Sequence, residues 1–232
     1  MKSVLAAVGI SFLISFFLVP LVRKFALKFN IVAVPGGRRA HAKPTPLLGG
    51  VGMYIASVAA TLLVLGFSHG LHPYKTAIAV IISATFVAIV GVLDDRFELP
   101  GWVQAASIVA GGCLLYVLGV TVGYITYPFK GGLIVPLGLW GIPVTVIWIL
   151  MVTKAVDCMD GVDGLAGGIA LIISATLMLM ALAATPKSHE MIESVKLASI
   201  LAASLVGATL GFLRYNYPPA KIFMGTVGSQ FL

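Results

Sequence analysis

The stretch LGLWGIPVTVIWILMV, residues 137–152, has no charged side chain, and TKAVDCMDGVDGLAGG follows it directly at residues 153–168. An apolar run of this length is typical of a helix that crosses a lipid bilayer, whose hydrocarbon core needs about 20 residues. Four ionisable residues stand where the run should end, spaced three apart: Lys154, Asp157, Asp160 and Asp163. Ionisable groups at a membrane span are costly and face the protein interior or water, so a functional role is expected.

Composition places the whole chain in the same environment. Of its 232 residues, 59% are hydrophobic and 10% are charged, and the mean hydropathy is +1.07. Soluble domains carry about 25% charged residues, so this chain has too few polar groups to cover a surface in water. Helices satisfy their own backbone in lipid, and the alternation typical of barrel strands is absent. We therefore predict one all-α domain, a polytopic transmembrane helix bundle with seven spans: 3–22, 48–67, 76–93, 102–120, 137–156, 165–184 and 195–213.

Basic residues are distributed unevenly between the two sides of this bundle, with ten Lys and Arg on one side and five on the other. The positive-inside rule puts the more basic side in the cytoplasm and the N-terminus outside. The basic cluster at 23–43 follows from that rule, although it could also attract an anionic substrate or lipid headgroups. No basic soluble module is present to hold a nucleic acid. Six of the eight acidic residues lie on the same side, which the rule does not explain: Asp94, Asp95, Glu98, Asp157, Asp160 and Asp163.

The segments on the other side show no recognisable chemistry. Residues 121–136 have β-forming residues around two glycines, which predicts a short hairpin, and residues 185–196 are expected to start an interfacial helix. The two cysteines, Cys113 and Cys158, match neither a disulfide framework nor a zinc pattern.

The first of four cytoplasmic segments is RRAHAKPTPLLGGVGMY, residues 38–54. Its two prolines disfavour helix before Leu47, and three glycines then open the second span. Free backbone N–H groups at such a helix start suit a phosphate, with His41 and Lys43 beside them. The alternative is an ordinary proline-rich loop whose glycines allow helices to pack closely.

The second segment is VGVLDDRFELPG, residues 90–101, in which Asp94 and Asp95 end an apolar span. Adjacent carboxylates repel, so one is expected to protonate, to pair or to meet a cation. Mg²⁺ prefers oxygen ligands and keeps waters that substrate phosphates can replace. The alternative is a solvated loop in which Arg96 neutralises one aspartate.

The third segment is the opening stretch with its four ionisable residues. On a helix, a step of three residues turns by about 300°, so the four side chains are expected to form one drifting stripe. Gly161 and Gly164 flank Asp163 and allow close approach of a ligand. The alternative is a stripe of structural ion pairs.

The fourth segment is FLRYNYPPAKIFMGTVGS, residues 212–229. Two prolines break the span after Asn216, and Gly225 and Gly228 surround Thr226 in a turn suited to close approach. Phe223 could stack against a flat ring.

Together the four segments resemble the polyprenyl-phosphate N-acetylhexosamine-1-phosphate transferases, glycosyltransferase family 4. This family includes the bacterial enzymes that initiate teichoic acid, O-antigen lipopolysaccharide and enterobacterial common antigen synthesis, and phospho-N-acetylmuramoyl-pentapeptide transferase. Four motifs occur in the family's order: H-x-K-P-x-P-x-x-G-G at 41–50, G-x-x-D-D at 91–95, D-G-x-D-G-L-A-x-G at 160–168 and N-x-x-P-A-x-x-F-M-G-x-x-G-S at 216–229.

The resemblance implies an enzyme of the bacterial cytoplasmic membrane with its active site on the cytoplasmic side. The implied reaction is attack by a polyprenyl (undecaprenyl) phosphate on the β-phosphorus of a UDP-N-acetylhexosamine, which gives polyprenyl-diphospho-sugar and UMP in cell wall biogenesis. Mg²⁺ is the implied cofactor, with Mn²⁺ as a substitute. The resemblance is compatible with an oligomer. Metal and basic groups offset phosphate charge in such chemistry, and carboxylates hold the metal or act as base.

The family's site residues carry over to this chain by motif position. Asp94 and Asp95 match the metal and lipid-phosphate position, and either is a candidate base. Asp160 matches the catalytic core. The uridine pocket is implied at five positions, with Lys43 near it: Gly161, Val162, Asp163, Asn216 and Phe223.

The chain departs from the family in several places. Relatives have asparagine at the positions of Lys154 and Asp157, and a metal-binding aspartate at the position of Thr226. A threonine hydroxyl is a poorer Mg²⁺ ligand than a carboxylate. Relatives also continue into further spans and a histidine-rich cytoplasmic loop. The chain is therefore expected to lack the family's C-terminal spans, and an inactive form is an open alternative.

The choice of sugar leans towards N-acetylglucosamine. The muramoyl-pentapeptide branch has lysine at the position of Glu98 and P-T-M-G-G where this chain has PLLGG at 46–50.

Two other classes of protein fit part of the pattern. A CDP-alcohol phosphotransferase would carry a D-G-x-x-A-R run, which is absent after Asp160. An ion-coupled secondary transporter would place carboxylates near mid-span and have related halves.

Overall fold

The computed structural model describes residues 1–33, 44–67, 74–127, 133–186 and 188–232. Within these ranges the chain forms eight α-helices: α1 Lys2–Lys28, α2 Gly49–Phe67, α3 Tyr74–Phe97, α4 Gly101–Val117, α5 Gly141–Met159, α6 Leu165–Ala183, α7 His189–Asn216 and α8 Gly225–Phe231. A 3₁₀ turn, Gly138–Trp140, precedes α5. Two antiparallel strand pairs complete the described chain: β1 Val32–Ala33 with β2 Thr45–Pro46, and β3 Tyr124–Tyr127 with β4 Leu133–Pro136.

The helices confirm the predicted all-α transmembrane bundle. Six of those described are long and apolar enough to cross a membrane, and α4, with 17 residues, is a shorter apolar helix. The seven predicted spans correspond one to one to α1–α7. The predicted hairpin at 121–136 is confirmed by the pairing of β3 with β4. The predicted interfacial helix is instead the first part of α7, because the Ser188 hydroxyl caps that helix by accepting the Met191 N–H and the helix then continues without a break.

Close contact between α1 and α7 holds the centre of the bundle. The Ser11 and Ser15 hydroxyls donate to the carbonyls of Ser204 and Ala208, at 2.5 and 2.7 Å. A Cβ atom on Gly211 would lie 2.7 Å from the Ser15 Cβ, so only glycine permits this approach. Small residues and interhelical hydrogen bonds are how helices associate in lipid, where the hydrophobic effect between them is weak.

The helix ends at the predicted cytoplasmic side differ from the sequence prediction. Helix α3 runs to Phe97, four residues past the predicted end, so Asp94 and Asp95 lie in its last turn. Helix α5 ends at Met159, and α6 begins after Gly164, whose φ of +74° interrupts the helix. The expected four-residue stripe on one helix is therefore wrong. Lys154 and Asp157 belong to α5, whereas Asp160 and Asp163 follow it in the α5–α6 turn.

Candidate active site

A cavity of about 590 Å³ opens at the end of the bundle where α1, α3, α5 and α7 end and α2, α4 and α6 begin. All six acidic residues predicted for this side line it, whereas Arg96 is the one basic residue among its described lining. The acidic residues come from α3 and the loop after it, the end of α5 and the α5–α6 turn: Asp94, Asp95, Glu98, Asp157, Asp160 and Asp163. The six acidic residues that the positive-inside rule does not explain therefore lie together around one cavity.

Asp95 binds the start of α8. Its Oδ1 accepts the Thr226 N–H at 2.7 Å, and its Oδ2 accepts the Val227 N–H at 3.4 Å. Unpaired N–H groups at a helix start favour a carboxylate in this way. Gly225 has a φ of +73°, and a Cβ atom there would overlap the Asp95 carboxylate. Glycine is therefore needed at this turn, and Asp95 joins α3 to α8.

Asp94 is buried and is held from the other side, by the start of α4. Its Oδ1 accepts hydrogen bonds from the Leu99 N–H and from the Gln104 Nε2, both at 2.9 Å. Glu98, in the short loop between, has a φ of +50°, a left-handed conformation that is uncommon outside glycine. The two adjacent aspartates are thus fixed by different helices.

Lys154 and Asp157 interact with each other. The Lys154 Nζ lies 2.9 Å from the Asp157 Oδ2 and donates to the Gln104 Oε1 at 2.7 Å. The second oxygen of Asp157 accepts the Ser229 hydroxyl at 2.8 Å. The two residues therefore connect α5 with α4 and α8.

Asp160 lies just after α5, outside the membrane spans, and its surroundings raise its pKa. Burial, and after it the negative charges of Asp95 and Asp157, raise the pKa of Asp160 to about 7, although a hydrogen bond from the Gly225 N–H acts in the opposite direction. A buried cluster of like charges favours protonation or a bound cation. The electrostatics of this cavity therefore suit a positively charged ligand.

Asp163 and Asn216 connect the α5–α6 turn to the chain after α7. The Asp163 Oδ2 accepts the Ala220 N–H at 2.9 Å. Asn216 accepts the Gly164 N–H and donates to the Ile222 carbonyl, both at 3.0 Å. Both side chains line the cavity, and so do three further residues predicted for the uridine pocket: Gly161, Val162 and Phe223.

The start of α2 is not a free anion site. The Gly49 N–H donates to the Phe223 carbonyl at 2.9 Å, and the Gly50 N–H donates to the Met224 carbonyl at 2.8 Å. A Cβ atom on Gly50 would overlap the Gly228 backbone. The expectation of free N–H groups for a phosphate is therefore wrong, and the alternative of close packing is correct. His41 and Lys43 lie outside the described residues.

The carboxylates of this cavity could take part in holding a hard cation. Among the described residues, no three His, Cys, Asp or Glu side chains converge as a ready-made metal site. Mg²⁺ needs no such cage, because it is held by one or two carboxylates together with waters and substrate phosphates. Asp94, Asp95 and Asp160 are cavity carboxylates that could do so, and Thr226 lines the cavity beside Asp95.

Two residues of the site could not be picked out from the sequence, because their signals are weak. Gln104 lies in the first turn of the apolar helix α4, just after the short loop 98–100, and a polar side chain at that point of an apolar helix is the signal. Ser229 stands at the end of the fourth motif, but only the packing of α8 against α5 brings its hydroxyl to Asp157.

These features define a multi-pass membrane protein with an acidic cavity at one end of its helix bundle. A family model described as glycosyl transferase family 4 matches residues 77–232, and the chain belongs to that family. It is 32% identical to a probable undecaprenyl-phosphate N-acetylglucosaminyl 1-phosphate transferase of Bacillus subtilis, over 100% of this chain and 61% of that protein. It is 32% identical to a decaprenyl-phosphate N-acetylglucosaminephosphotransferase of Mycolicibacterium smegmatis, over 98% of this chain and 57% of that protein.

A third relative belongs to the other branch of the family. It is a phospho-N-acetylmuramoyl-pentapeptide-transferase of Streptococcus pyogenes, 31% identical over 97% of this chain and 68% of that protein. The chain thus spans about three fifths of the length of the first two relatives. Overall identity does not separate the two branches.

Proposed function

We propose that this chain carries the active site of a transferase that moves N-acetylhexosamine-1-phosphate from a UDP-sugar to a membrane polyprenyl phosphate. The observation that carries the proposal is the convergence of six carboxylates on one cavity at the end of the bundle. At such a place a water-soluble nucleotide sugar and a lipid phosphate can both reach the same groups. The names of the relatives point to the same type of acceptor.

In the proposed reaction, an oxygen of the polyprenyl phosphate forms a bond to the β-phosphorus of the UDP-sugar. The bond from that phosphorus to the oxygen of the α-phosphate breaks, and UMP leaves. Both reactants are anions that enter a cavity of like charge, so the chemistry needs added positive charge. Mg²⁺, or Mn²⁺ in its place, would supply that charge, and Asp94, Asp95 and Asp160 are the residues proposed to hold it.

The chain's own residues have separate tasks in this scheme. Asp94 and Asp95 stay fixed by hydrogen bonds from α4 and α8, so the lipid phosphate meets preset carboxylates. One of the two is the proposed base for a proton on the acceptor phosphate. Gly161, Val162 and Phe223, which also line the cavity, are proposed to contact the uridine, where an aromatic ring can stack on the base.

The site is proposed to face the cytoplasm of a bacterial cell. The excess of basic residues in the loops on this side supports that orientation. UDP-sugars are polar and would have to reach the cavity from water. Unlike the ion sites of a secondary transporter, the carboxylates lie at one end of the bundle rather than at its middle, so a transporter is not favoured.

We propose N-acetylglucosamine as the sugar of the donor. The support comes from Glu98, a cavity residue at the position of a lysine in the muramoyl-pentapeptide branch, and from the PLLGG sequence at 46–50.

The neutral Thr226 is the feature of this site that most limits cation binding.

The test is transfer of label from radioactive UDP-N-acetylglucosamine to polyprenyl phosphate by membranes that carry the protein, with Mg²⁺ or with a chelator. Mg²⁺-dependent labelled lipid and released UMP are expected. UDP-N-acetylmuramoyl-pentapeptide serves as the second donor, and greater transfer from it would overturn the choice of sugar. Proton-coupled uptake into vesicles without any labelled lipid would overturn the transferase itself.

A further inference from the structure

We infer that Lys154 is a positioning residue that fixes the relative placement of Asp94 and Asp95 through two hydrogen-bonded arms. The inference rests on the proposed function, because it concerns the carboxylates proposed to meet the cation and the lipid phosphate. Neither Lys154 nor Gln104, which forms part of one arm, has a role implied by the family motifs.

The first arm runs from α5 through α4 to α3. The Lys154 Nζ donates to the Gln104 Oε1 at 2.7 Å, and the Gln104 Nε2 donates to the Asp94 Oδ1 at 2.9 Å. An ammonium group can only donate and an ionised carboxylate can only accept, so the amide between them has one allowed orientation. Lys154 thereby fixes the face that Gln104 presents to Asp94.

The second arm runs from α5 to α8. Lys154 pairs with the Asp157 Oδ2 at 2.9 Å, and the Asp157 Oδ1 accepts the Ser229 hydroxyl at 2.8 Å. Ser229 lies in the same short helix whose first N–H groups, from Thr226 and Val227, bind Asp95. Movement of α8 against α5 would therefore move the donors that hold Asp95.

The charges of the pair support a positioning role over a simple electrostatic one. Lys154 and Asp157 are both partly exposed, with 31% and 26% of their side-chain surface accessible, and an exposed ion pair by itself contributes little stability. The pair adds no net charge to the cavity. If the lysine acted only as a charge, its removal would leave Asp157 uncompensated beside Asp160 and would strengthen cation binding.

The experiment uses Mn²⁺ as probe, with its dissociation constant measured by electron paramagnetic resonance on the purified chain in detergent. The same samples give kcat and KM for lipid labelling. The variants are Gln104→Met, which removes the first arm without a charge change, Lys154→Met, and the double variant. Lys154→Arg keeps the charge and the donors, and Lys75→Met removes a charge from an exposed position at the start of α3, at the other end of the bundle.

Residues that orient metal ligands from outside typically change affinity or activity by about 10–100-fold when mutated. We expect Gln104→Met to weaken Mn²⁺ binding by about tenfold or more. Lys154→Met should lower kcat by a similar factor with KM for UDP-sugar little changed. The double variant should be no worse than the poorer single variant, because both substitutions break one chain of contacts. Lys154→Arg should recover most of kcat, and Lys75→Met should match the unmodified chain.

Three results would overturn the inference. One is Mn²⁺ affinity and kcat within twofold of the unmodified chain for both single variants. Another is losses that multiply in the double variant, which would mean independent effects. The third is stronger Mn²⁺ binding with unchanged kcat in Lys154→Met, as expected for a charge alone. If the unmodified chain neither binds Mn²⁺ nor labels lipid, the proposed function itself fails and the inference fails with it.

Discussion

Proton competition at Asp160 gives the sharpest test of the cavity's electrostatics. Burial and the negative charges of Asp95 and Asp157 raise the pKa of Asp160 to about 7. Protonation removes the negative charge that a cation would meet, so a bound divalent cation must displace the proton. Cation affinity should therefore fall as pH falls through 7, a range in which an ordinary aspartate stays fully ionised.

The magnitude follows from the titration. A carboxyl with a pKa of about 7 is roughly 90% protonated at pH 6 and roughly 10% protonated at pH 8. If Asp160 contacts the cation, the apparent affinity should drop by about tenfold between pH 8 and pH 6, or about 1.4 kcal/mol. In the cation-free protein the same group acts on stability in the opposite sense. The folded state binds this proton more tightly than the unfolded state, so stability should fall as pH rises from about 4 to about 7.

The assay is Mn²⁺ binding by electron paramagnetic resonance between pH 6 and pH 8, on the unmodified chain and on Asp160→Asn. The asparagine variant should bind more weakly at pH 8, with a flatter pH dependence, and should have no transfer activity while it still inserts and folds. Equal pH slopes for the two proteins would refute the assignment of the titrating group. Near-normal turnover in Asp160→Asn would refute its catalytic role.

Three further substitutions test how the cavity is built. Gly225→Ala should lower the apparent Tm in detergent and weaken Mn²⁺ binding, because a left-handed φ costs a non-glycine residue about 1–2 kcal/mol and the new methyl overlaps Asp95; an unchanged Tm would contradict this. Gly50→Ala should destabilise by about 1–3 kcal/mol, since its Cβ overlaps the Gly228 backbone, and a tolerated alanine would disprove the close packing. Thr226→Asp should lower Tm without a cation, recover it with Mg²⁺ and raise Mg²⁺-dependent turnover. No gain in turnover would mean that Thr226 does not limit cation binding.

The number and order of the helices could be predicted from the sequence because lipid imposes a simple rule. A span needs a long apolar run, and each predicted run corresponds to one helix from α1 to α7. The grouping of the acidic residues was also predictable. Alternate helix ends lie on the same side of a bundle, so segments 90–101, 153–168 and 212–229 had to meet there.

The local geometry could not be predicted in the same way, because it depends on contacts between distant segments. A spacing of three suits a helix, but Gly164 adopts a left-handed conformation and the helix ends before Asp160. The glycines at the start of α2 fit equally well with an anion site and with close packing. Only the position of the Phe223 and Met224 carbonyls decides between them, and those residues are more than 170 positions away.

The departures from the family motifs also change meaning once the contacts are known. Lys154 and Asp157 each stand where the family resemblance implies a neutral asparagine, and in the sequence they look like two separate additions of charge. Their side chains pair at 2.9 Å, so the positive charge of Lys154 and the negative charge of Asp157 cancel. The two departures therefore replace one neutral pair of residues by another. Thr226 is different, since a neutral residue where the resemblance implies an aspartate means one negative charge fewer on the cavity wall. The balance between the proposed cation and the cavity carboxylates is therefore changed at Thr226 and preserved at the lysine–aspartate pair.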